Sequence, residues 1–227
     1  MKNILIACSK NWFFENTEVK KFIKKKNVKI INSKKKLNIE YLKYVNPSII
    51  FFPHWSYKVS KRIIQKYNCI CFHTGPLPQG RGGSPIQNLI MINKKKSTVC
   101  ALKMTENIDA GPIFLKREIN LEGNLEEIFK RISNTIINMM KKLIDKKIIP
   151  KKQKGKVSYF KRLNKKNSKI NSEVSIKKIY DKIRMLDSPE YPKAYFKIKN
   201  LKIELNSSMI KKNYIFCNAK IFKERKN

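Results

Sequence analysis

His73 and Asp109 are the two side chains of this sequence best suited to proton transfer. His73 ends an apolar run at 69–73 and precedes a loop rich in Gly and Pro, whereas Asp109 lies in a turn between two further apolar runs. An imidazole that a carboxylate orients can exchange a proton with a reacting group or stabilise a developing oxyanion. Spacing alone does not show that the two side chains meet, and a structural histidine and a turn-forming aspartate are the alternatives.

The segment after His73 is expected to be a loop of defined shape. Residues 75–83 contain four of the seven glycines and two prolines, a composition that excludes helix and strand. Gly75, Gly82 and Gly83 would let the backbone approach a ligand or adopt positive φ, unless this is an ordinary surface turn. Arg81 is either a contact for an anionic ligand or a structural arginine.

Three more residues are candidates because of their place beside predicted strands. His54 and Trp55 follow an apolar run at 48–52, where they either pack on a ligand or belong to the core. Cys71 shares a strand face with His73 because side chains alternate along a strand. The five cysteines lie mostly in apolar runs, which favours free thiols in a cytoplasmic protein over disulfides or a metal site.

The elements that must position these residues alternate between strand and helix. Strands are expected at 4–8, 28–32, 48–52, 69–73, 97–104 and 112–119, and helices at 16–26, 39–45, 58–66, 84–93 and 125–144. This order predicts an α/β fold, a Rossmann-like and mostly parallel sheet with helices on both faces. Ser84 is the expected N-cap of its helix, with Pro85 at the first helical position, and Asn124 with Glu127 forms a capping box before the longest helix.

A Lys-rich stretch at 150–156 is interpreted as a linker, so we expect a catalytic domain at 1–150 and a small α+β extension at 151–227. The extension should contain a strand at 157–162, a helix at 175–186 and strands at 194–198, 201–205 and 214–221. These elements predict a small α+β appendage rather than a second full domain.

Several classes of function are disfavoured. No apolar run approaches the roughly 20 residues that span a bilayer, so no membrane insertion is expected. Neither glycine-rich phosphate-binding motif follows the first strand, which argues against a dinucleotide or ATP cofactor. The net charge of +36 favours anionic partners, but the lysines are spread along the whole chain beside many Ile and Asn residues. Compositional drift, an anionic small ligand and a nucleic-acid surface therefore all stay open.

The loop and turn motifs carry a resemblance to a known family. The motifs are 73–78 (HTGPLP), 81–82 (RG), 85–87 (PIQ) and 108–111 (IDAG). They resemble the N-terminal domain of the folate-dependent formyltransferases, in which the Asp follows the His by 36 residues, as 109 minus 73 does here. The tail segments 160–162, 183–186 and 191–194 are also similar to segments that follow this domain.

The resemblance implies the formyltransferase fold and formyl transfer from 10-formyltetrahydrofolate to a primary amine, without a metal. In the family an Asn and a protonated His stabilise the tetrahedral intermediate and an Asp orients the His; His73 and Asp109 match, but Cys71 occupies the Asn position. Three interpretations of Cys71 stay open. Thr74, Asn88 or a loop N–H replaces the Asn as the oxyanion donor, the enzyme is active but slow, or the protein binds its ligands without turnover. A formyl-thioester intermediate on Cys71 is a remote fourth alternative. The expected folate contacts are Gly75, Arg81, Gly82, Gly83, Trp55 and His54.

Segments 51–56 and 80–88 look most similar to the branch that acts on amino sugars, so the expected acceptor is a nucleotide-linked amino sugar or glycan precursor. Methionyl-tRNA is the alternative: the basic surface favours it, and the short extension of 77 residues stands against it. A folate or sugar-nucleotide binding protein without turnover is the alternative of another class. The sequence indicates no oligomeric state.

Overall fold

The computed structural model describes residues 3–26, 28–171 and 175–223. These described residues form two compact units: the first lies within Met1–Gly82, Ser97–Ile119 and Phe129–Tyr159, and the second within Gly83–Lys96, Asn120–Ile128 and Phe160–Asn227. Segments 83–96 and 120–128, expected within the catalytic domain, thus group with the C-terminal residues. The division into domains at residue 150 stays a prediction.

The strands and helices follow one another much as the apolar patterns predict. The strands are β1 (Ile4–Ala7), β2 (Lys29–Ile31), β3 (Ile49–Pro53), β4 (Cys69–His73), β5 (Arg81–Gly82), β6 (Lys96–Lys103), β7 (Ile113–Asn120), β8 (Tyr159–Phe160), β9 (Ala194–Ile198), β10 (Leu201–Ile210) and β11 (Ile215–Lys223). The helices are α1 (Asn11–Glu15), α2 (Thr17–Lys26), α3 (Ile39–Val45), α4 (Lys61–Lys66), α5 (Pro85–Met91), α6 (Leu125–Asp145) and α7 (Ile176–Arg184).

A six-stranded sheet in the order β2-β1-β3-β4-β6-β7 organises the first unit. Strands β2, β1, β3 and β4 pair with one another in the parallel direction, whereas β4 pairs with β6 in the antiparallel direction. Every residue of β1 and β3 is buried, as expected for strands covered on both faces. The predicted mostly parallel α/β fold is confirmed, and the carboxyl ends of β1, β3 and β4 lie at one edge.

The core of the first unit joins this sheet to its helices. One buried cluster packs Leu5 and Ile50 of the sheet against Leu42 of α3 and Ile63 of α4. The ring of Trp12 on α1 stacks on that of Phe129 on α6 with centroids 4.1 Å apart. Burial of these side chains, at roughly 1.5–3 kcal/mol each, is the main force that holds the sheet edge in place.

The second unit has its own antiparallel sheet, β11-β10-β9, beside α5 and α7. This matches the predicted α+β character of the C-terminal part. The predicted strand at 157–162 is shorter, since only Tyr159–Phe160 is a strand. Its partner β5 lies inside the glycine-rich segment for which only loop was expected, because Arg81 N–H donates to Ser158 O.

The two helix caps expected from the sequence have different outcomes. Asn124 and Glu127 form the expected capping box, with both hydrogen bonds 2.9 Å long. Ser84 precedes α5 but makes no capping hydrogen bond, because it adopts φ 50° and its hydroxyl accepts from Leu163 N–H. The side-chain capping role assigned to Ser84 was therefore wrong; this hydroxyl binds the segment that follows β8 instead.

Arg184 is the buried cation that stabilises the second unit. Its guanidinium donates to Asp181 Oδ1 at 2.6 Å and to the carbonyls of Leu121 and Gly123. We expect Arg184→Met to lower the free energy of unfolding by about 3 kcal/mol, because the buried Asp181 carboxylate would keep only the half-exposed Lys177 as a cationic partner and two carbonyls would lose their donor. Denaturant unfolding checks this, with the exposed Lys21→Met as a control that should leave the midpoint unchanged. Equal midpoints for Arg184→Met and wild type would contradict it.

Within the described ranges, no helix combines the length and the apolar character that crossing a bilayer requires.

Candidate active site

The structure brings His73 and Asp109 together. His73 is the last residue of β4, and Asp109 lies in the turn between β6 and β7 with a φ of 53°. His73 Nδ1 lies 3.2 Å from Asp109 Oδ2, and the side chains are only 5% and 16% exposed. A carboxylate in this position orients an imidazole and stabilises its protonated form.

The Asp109 carboxylate is held in its charged form. Gly82 N–H donates to Oδ2 at 2.9 Å. Burial raises the pKa of Asp109, but the hydrogen bond and charge of His73, the Gly82 N–H and the charge of Arg81 together outweigh burial and hold this pKa below its ordinary value. Asp109 is therefore a carboxylate at neutral pH.

The glycine-rich loop lies directly against the other ring nitrogen of His73. Nε2 is 2.9 Å from Gly80 O, so both ring nitrogens face acceptors, an arrangement that the doubly protonated imidazolium fully satisfies. A Cβ at Gly75 would lie 2.7 Å from Nε2 and 3.3 Å from Gly80 O. Glycine is required at 75 for this approach, and the φ of 98° at position 82, whose N–H binds Asp109, also favours glycine.

Cys71 lies on the same face of β4 as His73, but its thiol is not a strong hydrogen-bond donor. Its Sγ lies 3.8 Å from Leu102 O. Burial, and then the negative charge of Asp109, raise the pKa of this thiol far above its ordinary value. The neutral thiol is a poor nucleophile, which argues against a formyl-thioester.

His54 and Trp55 follow β3 at the same edge of the sheet. The His54 ring packs among aromatic rings, 4.4 Å from Trp12 and 5.9 Å from Phe13 between centroids. Burial and the charge of Lys10 lower the pKa of His54 to about 3, so the ring is neutral. Core packing thus accounts for these ring contacts of His54, and its contact with folate stays a prediction.

Several buried nitrogen atoms in the first unit have unused hydrogen-bonding capacity. Among the described residues, no hydrogen-bond partner is found for Trp12 Nε1, His54 Nε2, Trp55 Nε1 and Arg81 Nε. Burying such a group without a partner costs about 1–3 kcal/mol. Two of these atoms follow β3 and one lies in the glycine-rich loop, so this region fits a heterocyclic ligand that carries polar atoms.

Two sequence candidates lie in the second unit. A Cβ at Gly83 would lie 2.6 Å from Arg162 Cβ, so glycine permits the close approach of these two segments. Asn88 Nδ2 donates to the carbonyls of Gly83, Ser84 and Lys161. The Asn88 amide thus already donates to three backbone carbonyls. A role for Gly83 in folate binding stays a prediction.

Gln153 is a polar contact of the site that sequence reasoning missed. Its Nε2 donates to Asp109 O at 2.7 Å and to Gly111 O at 2.9 Å, while its Oε1 accepts from Arg81 Nη2 at 2.8 Å. The residue lies in the stretch interpreted as a linker, and the single signal there is one amide among lysines.

No group of three or more His, Cys, Asp or Glu side chains is arranged to hold a metal ion in the part of the chain that the structure describes.

Comparison with known proteins places this geometry in a family. Residues 165–222 match the family model for the C-terminal domain of methionyl-tRNA formyltransferase. Methionyl-tRNA formyltransferase of Rickettsia massiliae is 33% identical over 165 residues, which cover 70% of this chain and 54% of that relative. The solved methionyl-tRNA formyltransferase of Clostridium thermocellum superimposes with a TM-score of 0.94 at 39% identity, over 98% of this chain and 100% of that chain.

The chain belongs to the folate-dependent formyltransferase family. The predicted resemblance to this family is thus confirmed, as is the formyltransferase fold, while the roles of His73 and Asp109 stay predictions. The chain spans about half the length of the curated relatives it matches. A solved sugar N-formyltransferase from Shewanella shares the formyltransferase fold, with a TM-score of 0.67 at 16% identity over 93% of this chain and 100% of that one.

Proposed function

We propose that this chain transfers the formyl group of 10-formyltetrahydrofolate to the α-amine of methionyl-tRNA. The observation that carries the chemistry is the buried His73–Asp109 pair at 3.2 Å, at the carboxyl edge of the parallel strands. The acceptor is proposed from the relatives named methionyl-tRNA formyltransferase, which reach 39% identity. A net charge of +36 suits a phosphate-rich acceptor.

This proposal reverses the preference for an amino sugar that the sequence motifs suggested. The solved sugar N-formyltransferase is 16% identical to this chain, far below the methionyl-tRNA relatives. The short C-terminal part also no longer argues against methionyl-tRNA as the acceptor. A protein named methionyl-tRNA formyltransferase aligns with this chain over 100% of its own solved length.

In the proposed reaction, the amine attacks the formyl carbon and forms a tetrahedral intermediate. Protonated His73 stabilises the oxyanion through Nε2–H, which must first leave Gly80 O, and the Asp109 carboxylate stabilises the imidazolium. The bond between the formyl carbon and N10 of the folate then breaks. The proton that the amine loses is transferred to N10, so the products are the formylated amine and tetrahydrofolate.

The folate would lie against the edge that β3 and the glycine-rich loop form. Trp55 and His54 offer aromatic surface and unpartnered ring nitrogens for the pterin. Arg81 offers a cation for the glutamate tail, Gly82 permits the backbone conformation of the loop, and the buried Gly75 lets the loop approach His73. These contacts are proposals that rest on the unused nitrogen atoms described above.

Cys71 leaves the family's second oxyanion donor to be supplied by another group. A loop N–H or Thr74 can take this role, since the Asn88 amide already donates to three carbonyls. We expect Cys71→Asn to equal or exceed the wild-type kcat, by up to about 10-fold, because a carboxamide donates a stronger hydrogen bond than a thiol. Steady-state formylation assays check this, with Cys100→Asn as a control for a polar group in the core. A collapse of activity in Cys71→Asn, in a variant that remains folded, would contradict it.

The acceptor is tested by offering the purified chain 10-formyltetrahydrofolate with methionyl-tRNA or with a panel of nucleotide-linked amino sugars. Release of tetrahydrofolate and mass spectrometry of the acceptor give the result. We expect formylation of methionyl-tRNA. Turnover with sugars alone would overturn the acceptor, and folate binding without turnover on any amine would favour a binding protein.

A further inference from the structure

Gln153 connects the two segments that determine the position of the Asp109 carboxylate. One segment is the turn that contains Asp109 itself, where Gln153 Nε2 donates to Asp109 O and Gly111 O. The other is the glycine-rich loop, where Arg81 Nη2 donates to Gln153 Oε1. These hydrogen bonds of 2.7, 2.9 and 2.8 Å lie within the first unit.

The three partners require an amide at this position. The two carbonyls need the NH₂ group and the guanidinium needs the oxygen, so reversing the amide would replace all three bonds by repulsive contacts. A carboxylate would match Arg81 but would place its second oxygen against two carbonyls. An apolar side chain would satisfy none of the three groups.

The Asp109 turn has a conformation that needs outside support. Asp109 adopts φ 53°, a left-handed conformation that is unfavourable for a residue with a Cβ. Gly111 packs so tightly that a Cβ there would collide with Lys103 O. Gln153 binds the carbonyls at both of these positions, and therefore fixes the backbone from which the Asp109 carboxylate extends.

The loop side of the contact acts on the same carboxylate. Gly82 N–H donates to Asp109 Oδ2, and the neighbouring Arg81 is bound to Gln153. One side chain thus ties together the carboxylate's own backbone and the loop that supplies its second hydrogen bond. Both sides set where Oδ2 lies relative to His73 Nδ1.

We propose that Gln153 is a positioning residue for formyl transfer, which holds the Asp109 turn and the Arg81 loop so that the Asp109 carboxylate meets His73. Its three hydrogen bonds all go to protein atoms. The inference rests on the proposed function for its kinetic consequence and on the structure alone for its geometric one. A displacement of reacting groups by about 1 Å can cost on the order of 10²-fold in rate.

The test compares Gln153→Met and Gln153→Glu with wild type. Gln65→Met, the same exchange at an exposed position of α4, is the matched control. We expect both Gln153 variants to lose between about 10- and 100-fold in kcat, with KM for the folate changed by less than about threefold. Gln65→Met should retain wild-type values. Wild-type kcat in Gln153→Glu, which keeps the Arg81 partner but loses both donors, would overturn the proposal.

A spectroscopic readout separates this proposal from the proposed function. The chain has two histidines, so the imidazole N–H signals of a ¹⁵N-labelled sample can be assigned to His73 and His54. We expect the His73 Nδ1–H signal to shift or disappear in both Gln153 variants and to persist in Gln65→Met. An unchanged signal in a folded Gln153 variant would overturn the positioning role, even if the wild type formylates neither methionyl-tRNA nor an amino sugar.

Discussion

Replacing Asp109 by asparagine is expected to lower kcat for formyl transfer by about 10² to 10⁴. The variant keeps the shape of the side chain but removes the negative charge that faces His73 Nδ1 at 3.2 Å. The imidazolium then loses its stabilising partner in a site where both side chains are largely buried. Steady-state kinetics check this expectation.

The matched control for Asp109 is Glu106→Gln. Glu106 lies three residues earlier, is exposed and pairs with Lys61, so its exchange should leave kcat unchanged. Equal activity of Asp109→Asn and wild type would contradict the role assigned to the carboxylate. A comparable loss in Glu106→Gln would show that the loss of an acidic charge in this segment, and not the Asp109 contact, matters.

The lowered pKa of Asp109 also predicts that the stability of the folded protein depends on pH. The pKa of Asp109 lies below its ordinary value of 3.8, so its contribution to stability is fully present above that value and is lost as pH falls through the folded pKa. The difference in unfolding free energy between wild type and Asp109→Asn should thus shrink in acid. Thermal unfolding from neutral to acidic pH measures it.

Replacing His73 by glutamine is the second change with a large expected effect, again about 10² to 10⁴ in kcat. Glutamine is polar and fits the space, but it cannot become a cation that faces both Asp109 and the oxyanion. The folate KM should change little, because in the proposed reaction the ring faces only the formyl group that is transferred. Near-wild-type kcat in His73→Gln would contradict the mechanism.

The losses of kcat in His73→Gln and Asp109→Asn should not multiply when the two exchanges are combined. Residues that act as a unit lose most of their effect when either is removed. The variant that carries both His73→Gln and Asp109→Asn is therefore expected to be about as slow as the slower single variant. Two independent losses that multiply would mean that His73 and Asp109 act separately.

The sequence predicted most elements because their apolar periodicity is set locally. α6 follows from apolar residues on one face and from the Asn124–Glu127 capping box. α1 was missed because five residues, Asn11–Glu15, are too short to display a period. The failed cap at Ser84 has a tertiary cause, since Leu163, distant in sequence, takes the hydroxyl.

The site was predictable only in part. Both residues were candidates for proton transfer because His73 ends a strand and Asp109 lies in a turn. The family resemblance indicated that they act together. The contacts of Gln153 join segments more than 40 residues apart, as do the rings around His54, where Trp12 and Phe129 come from distant helices. Such contacts leave no pattern in a single sequence.

The most direct test follows a labelled formyl group. Wild type and the His73→Gln/Asp109→Asn variant are incubated with [¹⁴C]formyl-tetrahydrofolate and methionyl-tRNA, and the label on the aminoacyl end is measured over time. We predict rapid labelling by wild type and little by the double variant, provided that both melt at similar temperatures. Equal labelling by the two proteins would contradict formyl transfer at the His73–Asp109 pair.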